Sequence, residues 1–209
     1  MASKIQGLFD DREMVEKVKV KLPILFHIAD LESSRNNQIG MEVGSVREKI
    51  LIALLMYKFG EENVFTEKIT EPEIDVVLFN KPISIKTGTG KYVSGTKLIW
   101  TVDAENAREF SAKYQPSCDM IYVHINWGSR GGLYFVPRET QLEVLAKIGR
   151  KEYIRLPKAG TNPRGVEMTS VAMRENVSHK DTLKIDIDWI KEDIEFKPYK
   201  RWVELWQEN

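Results

Sequence analysis

Two short apolar stretches of the sequence, residues 74–79 and 83–87, each carry a side chain that can do chemistry: Asp75 in the first and Lys86 in the second. Both stretches are rich in β-branched residues, and a turn-forming segment separates them, which predicts a β-hairpin. Because side chains alternate between the two faces of a strand, Asp75, Ser84 and Lys86 are expected to share one face. A carboxylate and an ammonium group then meet inside an otherwise apolar ribbon, where a buried charge needs compensation.

The register of this hairpin follows from the position of its turn. With the turn at Asn80–Lys81, Val77 faces Ser84 and Asp75 faces Lys86, at the Cβ separation of about 4.5 to 5.5 Å that opposed residues have. Two interpretations are open. The pair is either a cross-strand ion pair on a half-exposed ribbon, worth less than about 1 kcal/mol, or part of a functional site. The glycine-rich turn that follows favours the second interpretation, because it lets the backbone approach a ligand closely.

The order and types of these residues resemble those of the PD-(D/E)XK nucleases, and of the type II restriction endonucleases in particular. The resemblance covers residues 44–127. In that family an amphipathic helix with a glutamate precedes the hairpin, and here residues 44–52 hold Glu48 at the expected place. The resemblance implies an α/β fold with a restriction-endonuclease-like core, in which helices flank a central mixed β-sheet. In size and pattern the chain is also similar to the compact ThaI type, which cuts a short site of G and C only.

The sequence departs from the family's motif at two positions. Ile74, and not proline, precedes Asp75, and Ser84 stands where the motif has Asp or Glu. Serine is a poor ligand for Mg²⁺, which prefers charged oxygens. Some restriction enzymes supply the missing carboxylate from the preceding helix. Glu48 can do so here, and Glu73 is the second choice.

The resemblance implies Mg²⁺-dependent hydrolysis of phosphodiester bonds in double-stranded DNA. The expected ligands of one or two Mg²⁺ ions are Asp75, the backbone carbonyl of Ile85, and Glu48. The expected catalytic residues are Glu48, Asp75, Ser84 and Lys86. In this set Lys86 orients or deprotonates the attacking water or stabilises the transition state, and Ser84 adds at most a hydrogen bond. Two rivals stay open: a DNA repair or recombination endonuclease of the same fold, and a DNA-binding protein without catalytic activity.

Glu48 also has an interpretation that involves no metal. The segment Ser45-Val-Arg-Glu48 reads as a capping box, in which the glutamate hydrogen-bonds back to the Ser45 amide at the start of a helix. A glutamate in a first turn can also cap the helix with one oxygen and face a metal-bound water with the other. Both roles remain open at this point.

Residues 30–43, just ahead of this helix, have the composition of a DNA-contacting segment. Asn37 and Gln38 can reach base edges, and Ile39 or Met41 can wedge between base steps. Arg35 and Lys91, the latter from the glycine-rich turn, complete the expected contacts on this side of the chain.

Residues 128–182 are the second expected DNA-recognition addition. Their first part, 128–164, holds eight Lys or Arg and three Glu, an excess of five positive charges in a chain of zero net charge. Arg164 is the expected reader of guanine. The expected DNA-contacting residues of this segment are Arg130, Lys158, Thr161, Asn162 and Arg164.

Local patterns predict the elements that position these residues, within one domain of residues 1–209. A helix over 9–21 is expected to end near Pro23, and 30–44 is expected to be a loop. The clearest helix is Val46–Phe59, with a buried stripe of Val46, Ile50, Ala53, Leu54 and Tyr57. The other expected elements are strands at 98–102, 119–127, 131–136 and 183–187 and helices at 104–114 and 139–148, with weaker patterns over 150–182.

The composition of the chain excludes several classes of protein. The 209 residues include 31 Lys plus Arg and 31 Asp plus Glu, which excludes a wholly basic, histone-like DNA-binding protein. No stretch approaches the roughly 18 to 20 apolar residues of a membrane span, and no secretion signal is evident. The one cysteine, Cys118, fits a reducing compartment, and the resemblance to restriction endonucleases implies a prokaryotic cytoplasm. The expected partners are double-stranded DNA and a second copy of the chain, because cutting two strands needs two sites; no membrane or small-molecule cofactor is expected.

Overall fold

The computed structural model describes residues 4–35, 38–39, 42–66, 73–99, 101, 103–156 and 165–207. In chain order the elements are α1 (Gln6–Asp10), α2 (Arg12–Glu32), β1 (Ser34–Arg35), β2 (Gln38–Ile39), α3 (Val43–Phe59), a 3₁₀ turn (Glu61–Asn63), β3 (Val64–Phe65), β4 (Val76–Leu78), β5 (Lys81–Thr89), β6 (Thr96–Ile99), α4 (Ala104–Lys113), β7 (Asp119–Ile125), β8 (Arg130–Val136), α5 (Arg138–Ile148), α6 (Arg150–Tyr153), β9 (Ile154–Arg155), β10 (Val166–Met168), α7 (Ser170–Val177), β11 (Leu183–Asp188) and α8 (Lys200–Gln207).

A six-stranded mixed sheet forms the centre of the fold. Its order is β11-β8-β7-β5-β4-β3. β5 and β7 run parallel, and the other neighbouring strands are antiparallel. Residues of β7 and β8 are buried along almost their whole length, as expected for strands that are covered on both faces.

Helices α1, α2 and α3 cover one face of this sheet. Phe26 of α2 and Leu51 and Leu55 of α3 pack there with Ile85 of β5 and Val123 of β7 in one apolar cluster. Burial of side chains of this size stabilises the fold by about 1.5 to 3 kcal/mol each. The helix that carries Glu48 is therefore fixed against the strand that carries Lys86.

The opposite face packs against α4, α5, α7 and a three-stranded sheet of order β6-β10-β9. Tyr122 and Tyr134 of the central sheet contact this layer, to which Tyr153, Met168 and Met173 contribute fully buried side chains. The α/β prediction, a central mixed sheet flanked by helices, is confirmed.

The first long helix is longer than predicted. α2 continues past Pro23 to Glu32, so the predicted end near Pro23 is wrong. A proline inside a helix removes a backbone hydrogen bond. The helix nevertheless continues, because Leu22, Phe26 and Ala29 on either side of this point are buried against the sheet, and tertiary packing outweighs the local preference.

The buried stripe of α3 also differs from the prediction. The residues buried on this helix are Arg47, Leu51 and Leu55, whereas Ala53 and Tyr57 are exposed. Residues 50–56 are apolar on every side of the helix, so their spacing does not select one face. The face of α3 that packs against the sheet is the one with Leu51, and the charged Arg47 is buried on this same face.

The remaining elements agree with the prediction within a few residues, with three differences. The glycine-rich turn predicted over 87–91 is wrong in its first part, because β5 continues to Thr89. Strand β6, predicted at 98–102, lies in the smaller sheet beside β10. The segment predicted as the loop 30–44 contains the end of α2, the short hairpin of β1 and β2, and the start of α3. The segment 150–182, where the sequence pattern is weak, contains α6, β9, β10 and α7.

The C-terminal helix α8 lies on the surface. Val203, Leu205 and Trp206 are exposed, and Trp206 retains 89% of its accessible surface. Across the part of the chain that the structure describes, no helix combines the length and the apolar character needed to cross a membrane.

Candidate active site

The hairpin of β4 and β5 turns at Phe79 and Asn80, whose φ angles are 50° and 62°. Two left-handed residues in succession are typical of the two-residue turns that join antiparallel strands. Val77 pairs with Pro82, so the predicted register is wrong by two residues. A left-handed conformation is unusual for a phenylalanine, and the Phe79 ring packs against Phe59, with 5.6 Å between the ring centroids.

A shift of two residues leaves each side chain on its predicted face, and the grouping of Asp75, Ser84 and Lys86 is confirmed. Asp75 Oδ2 accepts hydrogen bonds from Ser84 Oγ at 3.2 Å, from the Ile85 backbone N–H at 2.6 Å and from Lys86 Nζ at 2.9 Å. The side chains of Asp75 and Lys86 are each 18% exposed. The charged pair is thus mostly buried but still open to a ligand.

Glu48, on α3, lies near enough to this pair for the charges of Asp75 and Lys86 to act on its carboxyl. Its carboxyl is partly buried. Burial, and then the negative charge of Asp75, raise the pKa of Glu48 above its ordinary value, while the charge of Lys86 acts to lower it. A carboxylate that is destabilised by burial and by a neighbouring carboxylate is a group whose charge a cation can neutralise.

The capping-box interpretation of Glu48 is wrong. Helix α3 begins at Val43, and the Ser45 amide donates to the backbone carbonyl of Glu42 at 3.1 Å. Ser45 therefore lies inside the first turn, and its amide is not available to the Glu48 carboxylate. The Glu48 carboxylate therefore does not cap the helix, and its nearness to Asp75 is compatible with the predicted metal-binding role.

Glu73, the second choice for the additional carboxylate, is bound elsewhere. Its Oε2 accepts hydrogen bonds from Ser117 Oγ at 2.5 Å and from the Ser117 N–H at 3.3 Å. The neighbouring Cys118 thiol donates to the Glu73 carbonyl at 3.8 Å, and burial raises the pKa of this thiol to about 11. Glu73 thus anchors the segment before β4 to the segment before β7.

A buried ion pair next to Glu48 was not predicted from the sequence. Arg47 Nη2 lies 2.5 Å from Asp30 Oδ1, and Arg47 Nη1 donates to Thr89 Oγ1 at 3.0 Å. The Arg47 and Asp30 side chains are only 5% and 4% exposed. The spacing of Arg47 four residues before Leu51 places both residues on one face of α3. Spacing alone favours an all-apolar face as the buried one, because arginine is mostly exposed in proteins.

Most of the expected DNA-contacting side chains lie outside the described residues, namely those of Arg35, Asn37, Gln38, Met41, Lys158, Thr161, Asn162 and Arg164. Of the other two, Lys91 is exposed after β5, with Nζ 5.5 Å from the centroid of the Tyr92 ring. Arg130 begins β8 and forms an exposed ion pair with Asp188, at 3.2 Å. Both side chains are exposed, and the charge of Arg130 is partly neutralised by Asp188.

Several cations of the basic segment 128–164 are bound within the protein. Arg138 and Arg150 donate to backbone carbonyls at the end of α4 and in the segment that follows it, and Lys147 and Arg155 form ion pairs with glutamates. The excess of positive charge counted along the sequence is therefore larger than the charge available to phosphates.

A second cluster of metal-ligating residues lies away from the hairpin. His179 Nε2 is 3.4 Å from Glu143 Oε2, and His179 Nδ1 is 3.7 Å from Asp181 Oδ2. One ligand atom from each of these three residues lies within 4.8 Å of the others, close enough for a metal ion, but exposed acidic groups commonly cluster without one. Mg²⁺ also prefers oxygen ligands. Asp75 and Glu48 fit Mg²⁺ better, because both supply carboxylate oxygens.

The fold and the residues along the β4–β5 hairpin define the chain as a PD-(D/E)XK nuclease of the type II restriction endonuclease class, as the sequence predicts. The chain belongs to the family described as restriction endonuclease ThaI, whose sequence profile matches residues 8–208. It is similar to a solved structure described as a restriction endonuclease in complex with substrate DNA. The two are 51% identical, the match covers 99% of this chain and 100% of that chain, and the TM-score is 0.92. Among curated proteins, no match was found.

Proposed function

We propose that this restriction endonuclease cleaves double-stranded DNA at a specific sequence, with Mg²⁺ as its cofactor and Glu48, Asp75 and Lys86 as its principal active-site residues. One observation carries the assignment of the site: the Lys86 ammonium and the Asp75 carboxylate meet at 2.9 Å beside a second carboxylate whose pKa is raised. A second carboxylate near the pair does not stabilise the fold, because burial and the charge of Asp75 disfavour its charged form. Such a perturbed carboxylate is typical of a functional site.

The proposed metal ligands are Asp75, Glu48 and the backbone carbonyl of Ile85. The N–H and C=O groups of one strand residue point to the same side. Because the Ile85 N–H donates to Asp75 Oδ2, the Ile85 carbonyl also points toward this carboxylate. Bound Mg²⁺ would lower the pKa of a water and neutralise phosphate oxygens.

Lys86 and Ser84 have different proposed roles. An ammonium group has three donors, and contact with Asp75 uses one of them. The others can hold the attacking water and stabilise the negative charge that develops on the oxygens around the phosphorus. The buried Ser84 hydroxyl donates to Asp75 and so orients this carboxylate.

The proposed DNA contacts come from residues 30–43 and 128–182, which flank the active-site elements, and from Lys91 after β5. Lys91 and Arg130 are proposed phosphate contacts, since both are exposed. Arg35, Asn37, Gln38 and Met41 are the proposed contacts of the first segment, and Lys158, Thr161, Asn162 and Arg164 those of the second. Arg164 is the proposed reader of guanine.

The enzyme is further proposed to act as a homodimer in a prokaryotic cytoplasm. The two strands of a duplex run in opposite directions, and a two-fold symmetric pair of subunits presents one active site to each strand. Size-exclusion chromatography with light scattering, with and without DNA, tests this proposal. A mass of one subunit per duplex would contradict it.

Plasmid digestion tests the central proposal. Purified protein with Mg²⁺ is expected to give discrete DNA bands, and a chelator is expected to stop the reaction. Ca²⁺ is expected to support binding without cleavage. A smear would indicate a nuclease without sequence specificity, and intact plasmid with retained binding would indicate a DNA-binding protein without activity.

A further inference from the structure

We propose that Arg47 is a positioning residue of the active site. Through simultaneous contacts with Asp30 and Thr89, it fixes the first turns of α3 against β5 and so holds Glu48 beside Asp75. The inference rests on the proposed role of Glu48. It concerns a network of side chains that do not themselves touch the reacting atoms.

The contacts of Arg47 join three elements at one point. Its guanidinium binds Asp30 in the last turns of α2 and Thr89 at the end of β5, at 2.5 and 3.0 Å, and it lies 5.6 Å from the centre of the Phe26 ring. Thr89 is three residues beyond Lys86 on the same strand. Arg47 directly precedes Glu48, so one guanidinium links the two elements that carry the proposed active-site carboxylate and lysine.

The energetics indicate that this pair is retained for position more than for stability. A buried ion pair gains little over apolar side chains of similar volume, because both charges lose their hydration. Here the pair is also incompletely satisfied: within the described part of the chain, Arg47 Nε and Asp30 Oδ2 are buried without a hydrogen-bond partner. Lys191 Nζ approaches Asp30 Oδ2 only to 4.0 Å. Arginine suits such a place, since its planar fork can bind two acceptors in fixed directions.

The contact with Thr89 provides the mildest test. Thr89→Val keeps the shape of the side chain and removes the acceptor for Arg47, whereas Thr89→Ser keeps a hydroxyl. Asp30→Asn removes the negative charge with almost no change of volume. Each variant is studied for folding by circular dichroism, for single-turnover cleavage in Mg²⁺ of a duplex that contains the mapped site, and for Ca²⁺ binding to the enzyme–DNA complex by calorimetry.

We expect Thr89→Val and Asp30→Asn to lower the cleavage rate of the folded enzyme about 10- to 100-fold, since a displacement of about 1 Å has such effects. Both are expected to weaken Ca²⁺ binding while the affinity for DNA changes little. Thr89→Ser is expected to restore both properties. Because Thr89 is an exposed residue and its variants change only the γ substituents, they keep the test decisive if Asp30→Asn does not fold.

A second ion pair between the same helices supplies the control. Lys58 of α3 and Asp11 at the start of α2 meet at 2.6 Å, at the other end of the helix pair. Lys58→Met removes that link without a direct effect on Glu48. Its cleavage rate and Ca²⁺ binding are expected to match those of the wild type.

Two results would overturn the inference: wild-type cleavage and Ca²⁺ binding in both Thr89→Val and Asp30→Asn, or equal losses in Lys58→Met. The second result would mean that any loosening of α2 and α3 is sufficient. Glu48→Gln separates this failure from failure of the proposed function. If Glu48→Gln itself cleaves DNA and binds Ca²⁺ normally, the proposed role of Glu48 is wrong, and the inference about Arg47 falls with it.

Discussion

Lys86 reaches Asp75 along a diagonal of the β4–β5 hairpin, and Nζ and Oδ2 lie 2.9 Å apart. Continuation of the observed register places Ser84, and not Lys86, opposite Asp75. Diagonal neighbours on antiparallel strands are within reach of long side chains, and lysine is long enough to close the gap. The geometry brings a hydroxyl, a backbone amide and an ammonium group to one carboxylate oxygen.

Removal of either charge of this pair is expected to reduce cleavage severely. Asp75→Asn removes a proposed metal ligand and Lys86→Met removes the group proposed to hold the attacking water, so each should lower the cleavage rate about 10²- to 10⁴-fold, while the circular dichroism spectrum is retained. Lys184 and Asp186 on β11 form a matched control, because they also meet at 2.9 Å but are far more exposed. Asp186→Asn should cleave normally, and normal cleavage by Asp75→Asn would refute the site.

Ser84→Ala is expected to have a much smaller effect than Asp75→Asn. The serine contributes one hydrogen bond to the carboxylate, worth about 0.5 to 1.5 kcal/mol, so the cleavage rate should fall about fivefold. Comparison of single-turnover rates for the two variants measures the difference. A loss as large as that of Asp75→Asn would mean that the hydroxyl acts directly in the reaction.

Glu48→Gln is expected to lower cleavage about 10²- to 10³-fold through the loss of a metal ligand and, at the same time, to stabilise the metal-free protein at neutral pH. The folded-state pKa of Glu48 is raised above its ordinary value of 4.5, mainly by burial. Protonated Glu48 therefore contributes to the stability of the fold below pH 4.5, and this stabilisation is lost as the pH rises through the folded-state pKa.

Glutamine never ionises, so the variant escapes this loss. Thermal unfolding without divalent ions should show a higher melting temperature for Glu48→Gln at pH 7 to 8, and the difference should shrink toward pH 4. A lower melting temperature at neutral pH would show that the glutamate stabilises the fold after all.

Cys118 is expected to be unreactive in the folded protein. Burial raises the pKa of its thiol to about 11, and the thiolate is the reactive form. At pH 8 a disulfide reagent should modify the native protein at least about 100-fold more slowly than a free thiol. Protein unfolded in denaturant should react at the free rate, and fast modification of the native state would contradict the burial of this side chain.

Arg164→Ala distinguishes base reading from phosphate binding. If Arg164 contacts guanine, the variant should lose about 1 to 3 kcal/mol of discrimination at one base pair. If it contacts phosphate, binding to all duplexes should weaken together and the salt slope should fall by about one unit. Affinities in Ca²⁺ on cognate and singly substituted duplexes, at two salt concentrations, separate these results. Unchanged affinity would remove this residue from the interface.

The sequence was sufficient to predict the face that Asp75, Ser84 and Lys86 share, because the alternation of a strand survives a shift of two residues. It did not predict the register, since the turn lies at Phe79 and Asn80, one residue earlier than predicted, and phenylalanine is not a residue that local turn preferences favour at positive φ. Local periodicity likewise failed for α3, where apolar residues on all sides leave the buried face to be selected by the sheet. For the same reason the burial of Arg47 was not predicted, and its partner Asp30 lies on another helix.

The parallel pairing of β5 with β7 has a consequence for the order in which the enzyme becomes active during synthesis. β5 gains its first neighbour, β4, from the adjacent hairpin, but its second neighbour, β7, ends only at Ile125. Pairing across such a long crossover forms late, because loop closure must precede the contacts that reward it. A nascent chain that has just emerged through Lys86 therefore holds every proposed active-site residue but lacks the strand that keeps β5 in place. Nuclease activity should arise only after the middle of the chain has left the ribosome.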